Sequence, residues 1–284
     1  MANIRLIQRR IRSIKNTAKI TKAMEMIATS KMKRAQDRVI AGRPYAEKMR
    51  QVLSDLAATQ PEGTLHPLMQ RRDINRIAII HITADRGLCG GLNSNVNRNT
   101  GSFILEQTAP SVLITVGRKG RDFMTRNRRD LRAEFTAMPD RPTLFDTLPI
   151  SHIVIDDYTQ GYADMVYLAF NRFVTTMTQQ PAIQQLLPIE TIEAKQTREI
   201  EYIYEPSSQV VMAELLPRYI EMQVYHSILE AIASEQSARM VAMRNATENA
   251  NELVEDLTLM YNKARQEMIT KELLDIVGGV EALK

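Results

Sequence analysis

The stretch that decides the fold is Ser234-Glu-Gln-Ser-Ala-Arg-Met-Val-Ala-Met-Arg-Asn-Ala-Thr-Glu-Asn-Ala250. It belongs to a segment that has no glycine between Ser207 and Val277 and a single internal proline. Alanines in a helical seam let a partner helix approach closely, and such a long helix needs a partner to bury its apolar side. The apolar residues that follow recur at alternating steps of four and three, the heptad spacing of a coiled coil: Ala246, Ala250, Leu253, Leu257, Met260 and Ala264.

The best candidate for that partner is the N-terminal segment, from Asn3 to about Ala58. Pro44 could end this helix or only kink it, but apolar residues keep helical spacing after it, which favours continuation. Such a helix would be roughly 80 Å long, well beyond an ordinary globular helix. Its predicted seam runs through Ile4, Ile7, Ile11, Ile14 and Ala18, and then Met24, Ile27, Met32, Ala35 and Val39.

The middle of the chain has a different pattern. A breaker cluster at residues 60–63 precedes Ile77–Thr83, an apolar and β-branched run typical of a strand buried on both faces. Residues 144–158 are compatible with either a strand or a helix. Strands alternating with helices predict an α/β layer with a largely parallel sheet. Further strands are predicted at 112–116, 165–170 and 201–204, with a glycine-rich turn at 85–93 and another glycine turn at 117–120.

The predicted fold class is therefore α/β plus long helices. The N- and C-terminal helices form an antiparallel coiled coil, and a Rossmann-like α/β domain is inserted between them. The expected domains are an N-terminal coiled-coil helix at 1–60, the α/β domain at 61–206, and a C-terminal coiled-coil helix at 207–284.

Charge is distributed unevenly along the chain. The first fifty residues hold fourteen Lys and Arg against three acids, which leaves 23 basic and 30 acidic residues for the rest. A basic arm on a mildly acidic body predicts an acidic partner for the arm. Charge alone leaves three interpretations of the arm open: it binds an acidic protein surface, it binds a nucleic acid, or it is merely a solvated face. The first 44 residues hold no aromatic side chain for base stacking.

Enzymatic chemistry finds little support in the residues. The 85–93 loop has neither the spacing of a dinucleotide-binding turn nor the lysine of a P-loop, so a tight turn is favoured over a nucleotide site. Cys89, the single cysteine, has no neighbouring base in the sequence, and the four histidines have no ligand-like spacing. No metal or cofactor is expected, and no stretch is predicted as a membrane span or signal peptide.

Several long blocks, in order from end to end, resemble the γ subunits of F-type ATP synthases. The resemblance rests on residues 21–33, 43–47, 85–93, 185–188, 204–206, 234–250 and 261–273. It implies the same coiled-coil shaft with a Rossmann-like domain, and it favours a helix at 144–158. It also implies that the chain is a non-catalytic central rotor stalk of a proton-translocating enzyme. The rotor would turn inside three α and three β subunits, dock on the ε subunit and the c-ring, and bind no nucleic acid.

The resemblance also implies which residues meet the partners. The simplest source is a bacterium. There the chain would lie on the cytoplasmic side of the plasma membrane, attached to the membrane only through the complex. Residues similar to those that contact the β subunits are Arg9, Arg10, Lys22, Met24, Lys31, Lys33, Arg34, Cys89, Arg239, Arg265, Gln266, Thr270 and Glu272. Residues similar to the foot that faces the c-ring and ε are Tyr202, Tyr204 and Glu205.

Overall fold

The computed structural model describes residues 2–58, 66–190 and 204–281. Its helices are α1 (Ala2–Ala58), α2 (Leu92–Glu106), α3 (Arg118–Arg126), α4 (Leu144–Thr159) and α5 (Ser208–Glu281), with a 3-10 turn at Pro67–Met69. Its strands are β1 (Ile77–Ile82), β2 (Ser111–Val116), β3 (Asp130–Phe135), β4 (Met165–Phe173) and β5 (Gln179–Leu187).

The chain forms two compact units. We call residues 1–28 with 239–284 the helical unit, and residues 29–238 the α/β unit. The units divide inside α1 and α5. The predicted domain boundaries near 60 and 206 lie close to the end of α1 and the start of α5. As domain limits they stay a prediction.

The α/β unit is built on a five-stranded sheet of order β3-β2-β1-β4-β5. All pairs are parallel except β4 with β5, which is antiparallel. The strands predicted at 77–83, 112–116 and 165–170 are confirmed. β3 and β5 were not predicted. Of the strand predicted at 201–204, residues 201–203 lie outside the described residues and Tyr204 is not in a strand.

Both faces of the sheet are covered, which explains why all six residues of β1 are buried. Ala78, Ile80 and Ile82 pack with side chains of α4 and with the parts of α1 and α5 that lie in this unit. Ile77 and Ile79 point the other way, towards the helices α2 and α3. Full burial of such a side chain stabilises by about 1.5–3 kcal/mol, so β1 contributes strongly to the stability of the unit.

Two helices were ambiguous in the sequence, and both are continuous. α1 runs through Pro44 to Ala58, as the spacing of the apolar residues after that proline predicts. Residues 144–159 form α4, which begins with a capping box. The Asp146 carboxylate accepts from the Thr143 backbone N–H at 2.7 Å and from its hydroxyl at 2.8 Å. These bonds satisfy the exposed start of the helix, so the local strand-like pattern does not prevail.

The helical unit is an antiparallel pair formed by α1 and α5, because Thr21 contacts Thr247 while Glu25 contacts Arg244. On α1 the buried and half-buried positions of this unit include Ile4, Ile7, Ile11, Ile14, Ala18, Thr21, Glu25 and Ala28. On α5 they include Met240, Met243, Thr247, Ala250, Val254, Leu257, Tyr261, Ala264 and Met268.

The predicted seam is therefore partly wrong. Ile27, Leu253 and Met260 are 56%, 51% and 59% exposed. Thr21 and Glu25 enter the seam of α1, and Val254 and Tyr261 replace the predicted residues on α5. Next to each of Ile27, Leu253 and Met260 stands a residue that fits the heptad spacing equally well. Apolar character alone therefore selects the wrong residue of each pair.

Candidate partner-binding surfaces

Two polar layers interrupt the seam of the helical unit in adjacent turns. In the first, the hydroxyls of Thr21 and Thr247 share a hydrogen bond of 2.7 Å. In the second, the buried Glu25 carboxylate accepts from Lys22 Nζ at 3.0 Å and from Arg244 Nε at 3.2 Å. The hydrogen bond from Lys22 lowers the pKa of Glu25, and Arg244 adds to this against the opposing effect of burial. A search for apolar periodicity misses both layers, whereas heptad spacing combined with opposite charges on the two helices would have found the second of them.

Replacing Glu25 with Gln should lower the unfolding free energy of the helical unit by about 1 kcal/mol. The loss is modest because the side chains of Lys22 and Arg244 are 56% and 51% exposed and water can solvate them. Since the pKa of Glu25 is depressed, its contribution is present above its ordinary value of 4.5 and is lost as the pH falls through the lowered value.

Thermal unfolding followed by circular dichroism at pH 7 and at pH 3 tests this prediction. The control is Glu248→Gln, which removes an exposed carboxylate of α5. A difference between wild type and Glu25→Gln that is equal at both pH values would contradict the assigned ion pairs.

The basic residues of α1 that are expected to meet the β subunits differ in exposure. Arg9, Arg10 and Lys22 are exposed in the helical unit, where Met24 is half-buried. In the α/β unit, Lys33 and Arg34 are exposed. Lys31 is only 31% exposed and forms an ion pair of 2.5 Å with Asp140. Most of these cations are therefore available to an acidic surface, whereas Lys22 and Lys31 are each paired with an acid of their own chain.

Lys31 and Asp140 line a recess of about 180 Å³ in the α/β unit. Three arginines, Arg34, Arg38 and Arg141, also line it, and α5 contributes Leu229 and Ile232 to its apolar lining. Arg38 Nη1 donates to the Pro142 carbonyl at 3.3 Å. Sequence reasoning missed Asp140, because no spacing rule connects it to a residue more than a hundred positions away. We refer to this feature as the basic recess.

The glycine-rich loop that follows β1 is closed by hydrogen bonds of its own. The Asn93 side chain accepts from the Ala84 N–H at 3.1 Å and donates to Cys89 Sγ at 3.3 Å. Cys89 is buried, while Leu88, with φ +63°, is 63% exposed. A partner at this loop would thus meet Leu88 rather than the thiol. That Cys89 and its loop contact a β subunit stays a prediction.

The α5 residues expected to bind β loops do not form one cluster. Arg239 is half-buried, whereas Arg265, Gln266, Thr270 and Glu272 are exposed. At ~1.5 Å per residue, Arg239 and Arg265 lie about 39 Å apart along the helix, so they cannot belong to one contact patch. Beyond Met268 every described side chain of the helix is exposed, including an apolar set: Ile269, Leu273, Leu274, Ile276, Val277 and Val280.

Of the residues expected at the foot, Tyr202 lies outside the described residues. Tyr204 is half-buried against the main core, and Glu205 is exposed. Within residues 2–58, 66–190 and 204–281, no group of three or more His, Cys, Asp or Glu could hold a metal ion. No helix in that part of the chain combines the length and the apolar character needed to cross a membrane.

Comparison with known proteins gives full-length matches. A sequence model of the family described as ATP synthase matches residues 3–283. The ATP synthase gamma chain of Dehalococcoides mccartyi is 60% identical over 284 residues and covers 100% of both chains. That of Chloroflexus aurantiacus is 48% identical over 290 residues, covering 100% of this chain and 99% of the relative.

Solved structures agree with the sequence matches. A chain in the central stalk and c-ring of the Tetrahymena thermophila mitochondrial ATP synthase is 29% identical, with a TM-score of 0.61, over 80% of this chain and 99% of that chain. A chain in the rotor of the Euglena gracilis mitochondrial enzyme has a TM-score of 0.65 at 18% identity, over 94% and 99% of the two chains, and supports the fold alone. These matches, over two long helices joined by an α/β unit, show that this chain belongs to the ATP synthase family as one of its gamma chains, the rotor subunits of the central stalk.

Proposed function

We propose that this chain couples rotation of a c-ring to conformational cycling of the catalytic β subunits in a proton-translocating F-type ATP synthase, and that it holds no catalytic site itself. The observation that carries the proposal is the construction of the helical unit. Its seam is rich in alanine and holds two polar layers, and α5 continues past the seam with every described side chain exposed from Ile269 to Val280. Such a helix end has apolar surface to offer to surrounding subunits.

The proposed partners are three α and three β subunits, the ε subunit and the c-ring. The exposed cations of α1 supply charge complementary to an acidic surface on the β subunits, and Gln266 and Thr270 supply polar groups farther along α5. Tyr204 and Glu205, with Tyr202, form the foot that meets ε and the ring. Through these partners the chain would lie at the cytoplasmic face of a bacterial plasma membrane, peripheral to it.

The physical mechanism is differential contact. A rotor changes which β conformation is favoured only if it binds the alternative conformations with different free energies. Exposed ion pairs suit this task, because each stabilises by only ~0–1 kcal/mol and can be exchanged as the shaft turns. The basic residues are concentrated in the first fifty positions, while the rest of the chain is mildly acidic, so exchangeable ion pairs with an acidic partner form mainly through α1.

Reconstitution tests the proposed function. The purified chain is mixed with α and β subunits from the same organism, and ATP hydrolysis is followed with and without it. We expect a complex with one copy of this chain per three αβ pairs, and hydrolysis that depends on the chain. Folded α and β subunits that neither bind the chain nor respond to it would reject the proposal.

Replacing Gln266 with Ala should lower the ATP hydrolysis of the reconstituted complex by about two- to tenfold. The reason is that one hydrogen bond to a partner loop contributes about 0.5–1.5 kcal/mol. Gln266 is exposed in the free chain, so the substitution should leave thermal unfolding of the chain unchanged. The matched control is Asn262→Ala, another exposed amide one turn earlier on α5. Equal hydrolysis in both variants would remove Gln266 from the contact set.

A further inference from the structure

The basic recess already holds a carboxylate. Asp140 Oδ2 accepts a hydrogen bond of 2.5 Å from Lys31 Nζ, and the Asp140 side chain stays 67% exposed. The remaining charged side chains that line the recess are the three guanidinium groups of Arg34, Arg38 and Arg141. One acid therefore faces four cations, and the excess of positive charge can attract a second acid.

The chain holds Asp140 in place from both sides. On the side of β3, the Ala137 N–H donates to Asp85 Oδ2 at 3.0 Å, and the other oxygen of that carboxylate accepts from the Arg118 N–H at 2.9 Å. On the side of α4, the Pro142 carbonyl accepts from Arg38 and, at 3.3 Å, from the Tyr225 hydroxyl. The short segment between these anchors presents Asp140 to α1, so the ion pair with Lys31 is a built feature of the fold.

The electrostatics agree with the geometry. The hydrogen bond from Lys31 holds the pKa of Asp140 below its ordinary value against an opposing effect of burial, and the charges of Arg86 and Arg34 lower it further. Asp140 is thus ionised at neutral pH and senses the same cations that an approaching acidic group would sense.

We propose that Asp140 is an internal substitute for a partner's carboxylate, and that an acidic segment of a partner protein displaces it from Lys31 when it enters the basic recess. The proposal rests on the proposed function in assuming that this face of α1 meets an acidic surface. It adds that a carboxylate of this chain, that of Asp140, competes with the partner for Lys31. Because one exchangeable ion pair replaces another, the contact can form and release at low net cost, and Asp140 keeps Lys31 occupied whenever the partner is absent.

Removing the internal carboxylate should strengthen binding of an acidic peptide. The experiment titrates the full chain into fluorescein-labelled hexaglutamate at low salt and follows fluorescence anisotropy. Asp140→Asn should bind the peptide about threefold more tightly than wild type, which is the range expected for one partly exposed ion pair. The matched control is Asp156→Asn, which changes the net charge equally at an exposed position of α4.

A double-mutant cycle locates the effect. If the peptide takes Lys31 from Asp140, the gain caused by Asp140→Asn should disappear in a Lys31→Gln background, since coupled residues are not additive. Equal affinities for Asp140→Asn and Asp156→Asn overturn the proposal, and so does a gain that survives Lys31→Gln. A gain in affinity for inorganic phosphate without a gain for hexaglutamate also overturns it, because the recess would then select a small oxyanion.

The peptide assay needs no other subunit, so its result is separate from that of reconstitution. Normal assembly with α and β subunits, but no gain for Asp140→Asn, would reject this inference and leave the proposed function intact. A clear gain in peptide affinity for Asp140→Asn together with failed assembly would support this inference and reject the proposed function.

Discussion

Replacing Gly117 with alanine is expected to destabilise the α/β unit by at least about 3 kcal/mol, combining backbone strain with a steric clash. Gly117 ends β2 and precedes α3 with φ +98°, a conformation that L side chains rarely adopt. A Cβ atom placed there would lie 2.1 Å from the Thr83 carbonyl oxygen. Because that oxygen belongs to the backbone at the end of β1, no side-chain rotation can relieve the clash.

The neighbouring hydrogen bonds make this position hard to move. The Gly117 N–H donates to the Phe135 carbonyl at 2.7 Å, and the Thr83 N–H donates to the Val116 carbonyl at 2.8 Å. Thr83 Oγ1 accepts from the Gly120 N–H at 2.7 Å. The ends of three strands and the start of α3 are thus tied together at one point, and a shift of the backbone would weaken several of these bonds at once.

Hydrogen exchange followed by mass spectrometry gives a local measurement. In Gly117→Ala the amides of β1 and β2 should exchange faster by about a hundredfold or more, which corresponds to about 3 kcal/mol of opening free energy. The control is Gly87→Ala, since a Cβ atom at Gly87 meets nothing within 4 Å and its φ is ordinary. Protection in Gly117→Ala that equals that of the control would show that the backbone adapts more easily than the structure indicates.

The sequence predicts the buried strands of this sheet and misses the strands at its edges. β1 is a run of six buried residues, and such a run is recognisable without any knowledge of the fold. β3 alternates between exposed and half-buried residues and is rich in charge, and β5 holds Pro181 and four glutamines, so neither has the apolar character of a central strand. Their pairing is decided by neighbouring strands, which a local pattern does not contain.

The residues expected to bind partners show a similar division. Helix and charge patterns predict that α1 presents cations and that α5 extends as a long amphipathic helix. They do not predict that Lys31 is paired with Asp140, that Cys89 is buried while Leu88 is exposed, or that Glu25 enters the seam. The Lys31–Asp140 and Glu25–Arg244 pairs join residues far apart in the chain, and such side chains keep the same local spacing whether they are paired or exposed. The burial of Cys89 depends on how its own loop folds, as in the hydrogen bond from Asn93.

The α/β unit should also lose stability on mild acidification because of one buried histidine. His81 on β1 is fully buried, with Nε2 donating to Asn97 Oδ1 at 2.8 Å and Nδ1 accepting from the Thr100 hydroxyl at 3.1 Å. These two bonds satisfy a neutral imidazole, which has one donor and one acceptor. Burial lowers the pKa of His81 from 6.5 to about 4, and the hydrogen bond to Asn97 opposes only part of this effect.

The sign of the pH dependence follows from that lowered pKa. Below pH 6.5 the unfolded chain takes up a proton at His81, whereas the folded chain stays neutral there until the pH approaches 4. The unfolded state therefore binds more protons in this window, and the stability that is present above pH 6.5 is lost as the pH falls. Between pH 7.5 and pH 5.0 the loss should be about 2 kcal/mol from this single group.

Urea unfolding at pH 7.5, 6.5, 5.5 and 5.0, followed by near-ultraviolet circular dichroism of the tyrosines, measures this loss. In His81→Gln the pH dependence should be flatter by about 2 kcal/mol over the same range, even if the variant is less stable at pH 7.5. Burial also lowers the pKa of His66, but this residue is present in both wild type and His81→Gln, so its effect on the pH dependence cancels in the comparison. The control variant is His152→Gln, which removes an imidazole whose side chain is 58% exposed. Parallel curves for wild type and His81→Gln would mean that His81 is protonated, or reached by water, in the folded state.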